Sequence, residues 1–203
     1  MANTIPSIAC LGVIGRNNNP LHVTIFPSYD TTTQTYAPVR TPLQFSLLLS
    51  GTLDIFEVRS RHLANPGGGG MLLSGEFGLL HAVDDRLAAY GFETNTGVKF
   101  VAVVDMRGRA AASSAGGRGG GGGVPSSSSS LGGGVGLRDN ELKPVFRAMQ
   151  TAYVRLLQNP FYDPDETTVP ASAGASARRI TSRKFGDEMR RVGEVWAPGV
   201  TNV

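Results

Sequence analysis

The sequence predicts an α+β fold: a five-stranded antiparallel sheet covered by helices. Two observations predict it. Five short runs are apolar or alternate apolar with polar residues and are separated by polar turns, and three longer segments repeat apolar residues at steps of three and four. The order is β-β-α-β-β-β-α-α, and 203 residues suffice for one core, so we expect a single domain over residues 1–203.

The first two strands form a predicted hairpin. Residues 7–15, SIACLGVIG, are almost wholly apolar, which is typical of a central strand covered on both faces. Cys10 lies in this run, where we expect a buried thiol rather than a reactive one. A turn at RNNNP leads to residues 21–26, which alternate Leu21, Val23 and Ile25 with His22 and Thr24.

The first helix is predicted from Thr41, an N-cap residue followed by Pro42 at the first helical position. Its apolar residues are too many for one stripe. We expect one stripe to face the sheet, made of Leu43, Leu47, Ile55 and Val58. The second would then face outward as an interaction site, made of Phe45, Leu49, Leu53 and Phe56.

Three further strands, in EFGLLHAVDD, RLAAYGFETN and VKFVAVVDM, are joined by short polar turns. Two helices follow. The second begins near Asp139 or Asn140 as N-cap, with Pro144 in or just after its first turn. Its apolar face is Leu142, Val145, Phe146, Met149, Tyr153, Leu156 and Leu157, and that of the last helix is Phe185, Met189, Val192 and Trp196.

Gly- and Ser-rich tracts interrupt the chain at about 65–70 and 108–136. This composition buries too little apolar surface to offset the entropy of ordering, so we expect flexible insertions. The longer tract lacks repeated RGG units and interleaved aromatic residues, which argues against RNA binding.

Basic charge is concentrated near the C-terminus, in RRITSRKFGDEMRR. An anionic membrane, nucleic acid or an acidic protein would suit it, but a solvated helix face is the simpler interpretation. No nucleic-acid motif is present, and we expect no nucleic-acid partner. The sequence shows neither a signal peptide nor a spanning segment, and a cytoplasmic protein is expected.

No pattern of catalytic or ligand-binding residues stands out. His22, His62 and His81 lie in three different predicted elements, and Asp84 and Asp85 are typical of a hairpin turn. We therefore predict no catalytic residues, no cofactor and no metal, and not an enzyme.

The order of elements resembles the sedlin family of the transport protein particle (TRAPP) complex. The specific likeness lies in VKFVAVVD followed by LRDNELKPVFRAMQTAYVRLLQNPFYDP, where a strand ending in aspartate precedes a helix that closes with Asn159, Pro160, Phe161 and Tyr162. Gln44 is a departure, since the family usually carries an acidic residue there. The resemblance implies a longin-like (SNARE-like) domain with one helix on one face of the sheet and two on the other.

The resemblance also implies a function. The protein would be a non-catalytic subunit of a vesicle-tethering and Rab-activating TRAPP complex in ER-Golgi and intra-Golgi transport, bound to other TRAPP subunits, acting on a Rab GTPase indirectly and peripheral at membranes. The alternative is a free-standing longin-type module that binds a SNARE or trafficking peptide. We expect a partner-binding surface at Leu43, Gln44, Phe45, Leu49, Leu53 and Phe56. Residues 159–162 are expected to lock the helix end, by folding Phe161 and Tyr162 back over the core, with partner contact as the alternative.

Overall fold

The main sheet has five strands, each antiparallel to its neighbours. The computed structural model describes residues 4–64, 76–110, 137, 139–162 and 179–200. The strands are β1 Thr4–Ile14, β2 Pro20–Ile25, β5 Glu76–Ala82, β6 Leu87–Glu93 and β7 Lys99–Ala110, and their order across the sheet is β2-β1-β7-β6-β5. The apolar first strand lies inside the sheet, between β2 and β7, as predicted.

Three helices cover the sheet: α1 Pro42–Ala64, α2 Lys143–Leu157 and α3 Arg183–Val195. Alternate strand residues separate two cores. Phe100, Ala102 and Val104 of β7 pack with α2 and α3, while Val101 and Val103 pack with α1. The predicted α+β sheet with one helix on one face and two on the other is confirmed.

The orientation predicted for α1 is wrong. Phe45, Leu49 and Phe56 are buried against the sheet, and Leu53 is half-buried. Leu43, Leu47 and Val58 are exposed by 69%, 64% and 50%, and Ile55 is half-buried. The interaction site expected at Phe45, Leu49 and Phe56 is therefore covered by the protein's own sheet.

Two features of the sequence explain this orientation. The helix face of Leu43 and Leu47 also carries Ser50 and Asp54, which stay in water, whereas the polar group of buried Thr52 donates a hydrogen bond to the Leu49 carbonyl at 2.6 Å. Beneath the stripe that contains Leu49 and Phe56, the sheet has glycines, which leave room for these side chains. A Cβ at Gly12 would come within 2.8 Å of the Leu49 side chain, and one at Gly91 would meet the Phe56 ring.

The start of α2 differs from the prediction. A 3₁₀ turn, Asp139–Leu142, precedes it, and Leu142 occupies the N-cap position without a side-chain cap. Pro144 explains the shift, because proline fits an α-helix only within its first turn. The buried face of α2 is as predicted except for Leu157, which is exposed by 43%.

The predicted face of α3 is confirmed. Phe185, Met189, Val192 and Trp196 are all buried, and the Ser182 hydroxyl accepts a hydrogen bond from the Phe185 amide as N-cap. Among the helices of the described ranges, none is long and apolar enough to cross a membrane.

A second small sheet was not predicted. Strands β3 Ser28–Asp30 and β4 Thr35–Ala37 form a hairpin between β2 and α1, with the Tyr29 and Tyr36 rings 5.3 Å apart. Three-residue strands are too short to give a recognisable alternation.

The tract boundary also moves. The sequence predicts that the second tract begins at about residue 108, but β7 continues through Gly108 to Ala110. Residues 65–70 and 111–136 lie outside the described residues, so the expectation of flexible insertions stays a prediction.

Candidate partner-binding site

The outward side of α1 carries exposed apolar side chains. Leu43 and Leu47 lie one turn apart, and Val58 lies on the same side nearer the C-terminal end of the helix, beyond Ser50 and Asp54. Neighbouring exposed apolar residues such as Leu43 and Leu47 are typical of interaction sites. We call Leu43, Leu47 and Val58 the outer α1 face.

Gln44, expected in the partner contact, has a local structural role. Its side-chain oxygen accepts a hydrogen bond from the Thr41 amide at 2.9 Å, and its own amide donates to the Thr41 hydroxyl at 3.3 Å. This reciprocal pair is a capping box that fixes the start of α1. An acidic side chain is therefore not required at this position to close the cap.

A groove of about 360 Å³ lies between α1 and the edge strand β5. Leu48, Gly51 and Ile55 line it from α1, and His81 and Val83 line it from the other side. Gly51 has no atom within 4 Å of where its Cβ would lie, so this part of the helix is open. Arg40 and Gln44 also line the groove, which combines apolar and polar side chains and is large enough for one or two side chains of another molecule.

The turn after α2 presents an exposed aromatic ring. Phe161 is 95% exposed, so the expectation that it folds back as a lock is wrong. The reason lies in the turn, where the Asn159 side chain accepts from the Phe161 amide at 3.2 Å and the Asn159 carbonyl accepts from the Tyr162 amide at 3.1 Å. This geometry directs Tyr162, which is half-buried, toward the core of α2 and α3. Pro160 is exposed beside Phe161.

The paired aspartates form a turn, as predicted. Asp84 Oδ1 accepts hydrogen bonds from the amides of Arg86 and Leu87 at 2.8 and 2.6 Å, and Asp84 Oδ2 pairs with Arg40 at 2.8 Å. Partial burial alone would raise the pKa of Asp84, but these hydrogen bonds and the Arg40 charge outweigh it and lower the pKa overall. Asp85 is exposed and lies 3.8 Å from Arg107.

A buried ion pair next to this turn was missed by sequence reasoning. The Asp105 carboxylate is fully buried and accepts from Arg86 Nε at 2.9 Å and Nη2 at 2.8 Å, while Nη2 also donates to the Tyr29 carbonyl at 3.1 Å. Hydrogen bonding to Asp105 raises the pKa of Arg86. The sequence held a signal for this pair, since Asp105 follows five apolar strand residues and Arg86 directly precedes the neighbouring antiparallel strand, in which Leu87 pairs with Asp105.

Among the side chains that the structure describes, His22, His81 and Cys10 do not come together at one site. His22 in β2 packs edge-to-face on Phe185 at 5.2 Å, and burial lowers its pKa; His81 lies across the sheet in β5. Burial raises the pKa of Cys10 to about 12, so its thiol stays protonated. Within the residues that the structure describes, no three His, Cys, Asp or Glu side chains converge to hold a metal ion.

Comparisons with known proteins give one consistent result. The family model described as Sedlin matches residues 13–194. The chain is similar to the trafficking protein particle complex subunit 2-like proteins of Mus musculus, at 26% identity over 87% of this chain and 89% of the relative, and of Dictyostelium discoideum, at 28% over 90% and 93%. That of Xenopus tropicalis is 27% identical over 85% of this chain and 94% of the relative.

Proposed function

The chain belongs to the sedlin family, and on that premise we propose that it is a non-catalytic assembly subunit of a trafficking protein particle complex. The observation that carries the proposal is the length of the likeness. Relatives named as subunits of that complex match it over 85% to 90% of the chain, which covers both helix layers of the sheet. Their names describe complex subunits rather than enzymes.

The finer parts of the proposal follow from that membership. We propose that the protein binds other TRAPP subunits, that the complex tethers vesicles and activates a Rab GTPase in ER-Golgi and intra-Golgi transport, and that the protein is cytoplasmic and peripheral at those membranes.

We assign the docking of this subunit to the outer α1 face. The three side chains project from one rigid helix whose opposite side is fixed by Phe45, Leu49 and Phe56, so little conformational entropy is lost on binding. The adjacent α1–β5 groove extends the same surface with further apolar area. Side chains that are fully desolvated near the centre of an interface contribute most of its affinity.

The test is co-purification from cells that express the tagged full chain, with recovered TRAPP subunits quantified by mass spectrometry. Leu47→Asp and Val58→Asp should each reduce recovery at least about tenfold, because a carboxylate would be desolvated in the contact. Val195→Asp is the matched control, since Val195 is 49% exposed, like Val58, but lies on α3. It should recover subunits as the wild type does.

Circular dichroism and the melting temperature first establish that each variant is folded. Recovery of TRAPP subunits equal to wild type in both folded α1 variants would refute docking through this face. Failure of the wild-type protein itself to recover any TRAPP subunit would refute the proposed function.

One observation favours the alternative function, a free-standing longin-type module. The α1–β5 groove lies along an edge strand, which is where an extended peptide can add to a sheet. A wild-type protein that purifies alone and binds a SNARE-derived peptide would support it. His81→Trp, which narrows the groove from the β5 side, should then abolish peptide binding, whereas Val195→Asp on α3 should leave it unchanged.

A further inference from the structure

A second groove lies on the opposite side of the molecule, between α2 and α3. The two helices are antiparallel: the Trp196 indole N–H donates to the Glu141 carbonyl at 3.1 Å at one end, and Arg155 pairs with Glu188 at the other. The groove between them has a volume of about 740 Å³. Ala148, Thr151 and Ala152 line it from α2, and these small side chains leave room for those of another chain.

Positively charged side chains outnumber negatively charged ones along this groove. Its two acids already have cationic partners, Glu188 with Arg155 at 3.4 Å and Asp187 with Arg190 at 3.6 Å. Arg183, Lys184 and Arg191 also line the groove, and no carboxylate of the described residues lies within 4 Å of them. With Arg155, the lining therefore holds four cationic side chains against two acidic ones, and Arg183, Lys184 and Arg191 are the cations that take part in none of these ion pairs.

We propose that the α2–α3 groove binds an acidic segment of a partner protein. Carboxylates of that segment pair with Arg183, Lys184 and Arg191, since guanidinium and ammonium groups bind carboxylates in short charge-assisted hydrogen bonds. Lys184 and Arg191 are two turns apart on α3, about 10 Å along its axis. A segment in the polyproline II conformation matches this span, because its three residues per turn place acidic residues three positions apart on one side, about 9 Å from each other.

The shape of the surface favours a protein chain over a lipid bilayer. The uncharged lining of Ala148, Ala152 and Val192 lies between two helices, where a chain segment can enter but a flat membrane surface cannot. A membrane would contact only the rim cations, in a way that depends on net charge and not on the groove. The α2–α3 groove lies on the face of the sheet opposite α1, so binding there can be tested separately from docking through the outer α1 face.

The probe is a fluorescein-labelled peptide of about nine residues built from Glu-Ala-Leu triplets, which place acids three positions apart. Fluorescence anisotropy with the full chain should show binding at about 50 mM salt that weakens several-fold at about 300 mM. Arg183→Glu combined with Arg191→Glu should lower the affinity at least about tenfold. Both arginines are exposed on α3, so this variant is expected to stay folded, which circular dichroism checks.

The matched control changes the same charge elsewhere. Arg61→Glu combined with Arg107→Glu alters two exposed arginines that lie outside the groove, and it should change the affinity by no more than about twofold. The same peptide with Gln in place of Glu should not bind. Amide chemical shifts in the wild type should change mainly in α2 and α3.

Four results would overturn the proposal: no binding of the Glu peptide, equal binding of the Gln peptide, an equal loss in the control variant, or binding to vesicles containing phosphatidylserine without binding to the peptide. A fifth concerns the chain's own acids. If Asp163→Asn, Asp165→Asn and Glu166→Gln together raise peptide affinity at least about tenfold, these residues occupy the groove in the free protein and no partner segment is needed.

Discussion

The Arg86–Asp105 ion pair connects the main sheet to the β3–β4 hairpin, because Arg86 directly precedes β6, Asp105 lies in β7 and the Tyr29 carbonyl belongs to β3. A buried pair of this kind adds little net stability when complete, but removing one partner leaves the other charge without compensation. Its role is therefore to fix how the β3–β4 hairpin sits on the main sheet.

Removing either partner should reveal this dependence. Asp105→Asn should lower the free energy of unfolding by about 3 kcal/mol. Arg86→Met should lower it further, because the Asp105 carboxylate is fully buried whereas the Arg86 side chain is 30% exposed and can reach water. Urea unfolding measures both.

Asp85→Asn is the control for this ion pair, since the Asp85 side chain is 84% exposed and its pair with Arg107 spans 3.8 Å. It should change stability by less than about 0.5 kcal/mol. Equal effects of Asp85→Asn and Asp105→Asn would contradict the assignment.

The packing of α3 depends on where its glycines lie. Both Gly186 and Gly193 lower intrinsic helix stability, by up to about 1 kcal/mol each relative to alanine. They are not equivalent in the fold. A Cβ at Gly193 would overlap the ring of buried Phe26, whereas the nearest atom to a Cβ at Gly186 is His22 Cε1, at 3.9 Å.

Opposite effects are therefore expected from the same substitution. Gly186→Ala should raise the free energy of unfolding by up to about 1 kcal/mol. Gly193→Ala should lower it by about 1 to 3 kcal/mol, because the buried Phe26 ring must shift to accommodate the methyl group. Differential scanning calorimetry of the two variants measures both changes. If both substitutions changed the free energy of unfolding with the same sign, helix propensity and not packing against Phe26 would determine the effect at these positions.

Across the whole chain, sequence patterns predict the elements better than the faces they present. The order of the main strands and helices along the chain and the buried face of α3 follow from periodicity, which depends on local spacing alone. The orientation of α1 depends on which sheet residues leave room for its side chains. Gly12 and Gly91 lie far from α1 in sequence, and only the folded register places them under Leu49 and Phe56. Phe161 is a similar case, because its exposure is set by the Asn159 hydrogen bonds and not by its own hydrophobicity.

The last prediction concerns the division of the chain into one domain with inserted tracts. Glycine and serine make up most of residues 111–136, between the end of β7 and the 3₁₀ turn before α2. Replacing this segment with a Gly-Ser linker of about half its length should change stability by only about 0.6 kcal/mol, since loop-closure entropy varies slowly with length. The melting temperature should then shift by about 2 °C.

Replacing residues 28–37 with a linker of the same composition provides the contrast. It removes the Tyr29 carbonyl that Arg86 contacts and the buried Ser28, so it should lower the melting temperature far more. If shortening residues 111–136 is as damaging as removing the hairpin, that segment belongs to the packed structure and is not an insertion. Comparable melting temperatures in the shortened and full-length proteins would instead support one folding unit formed by the strands and helices on both sides of the tract.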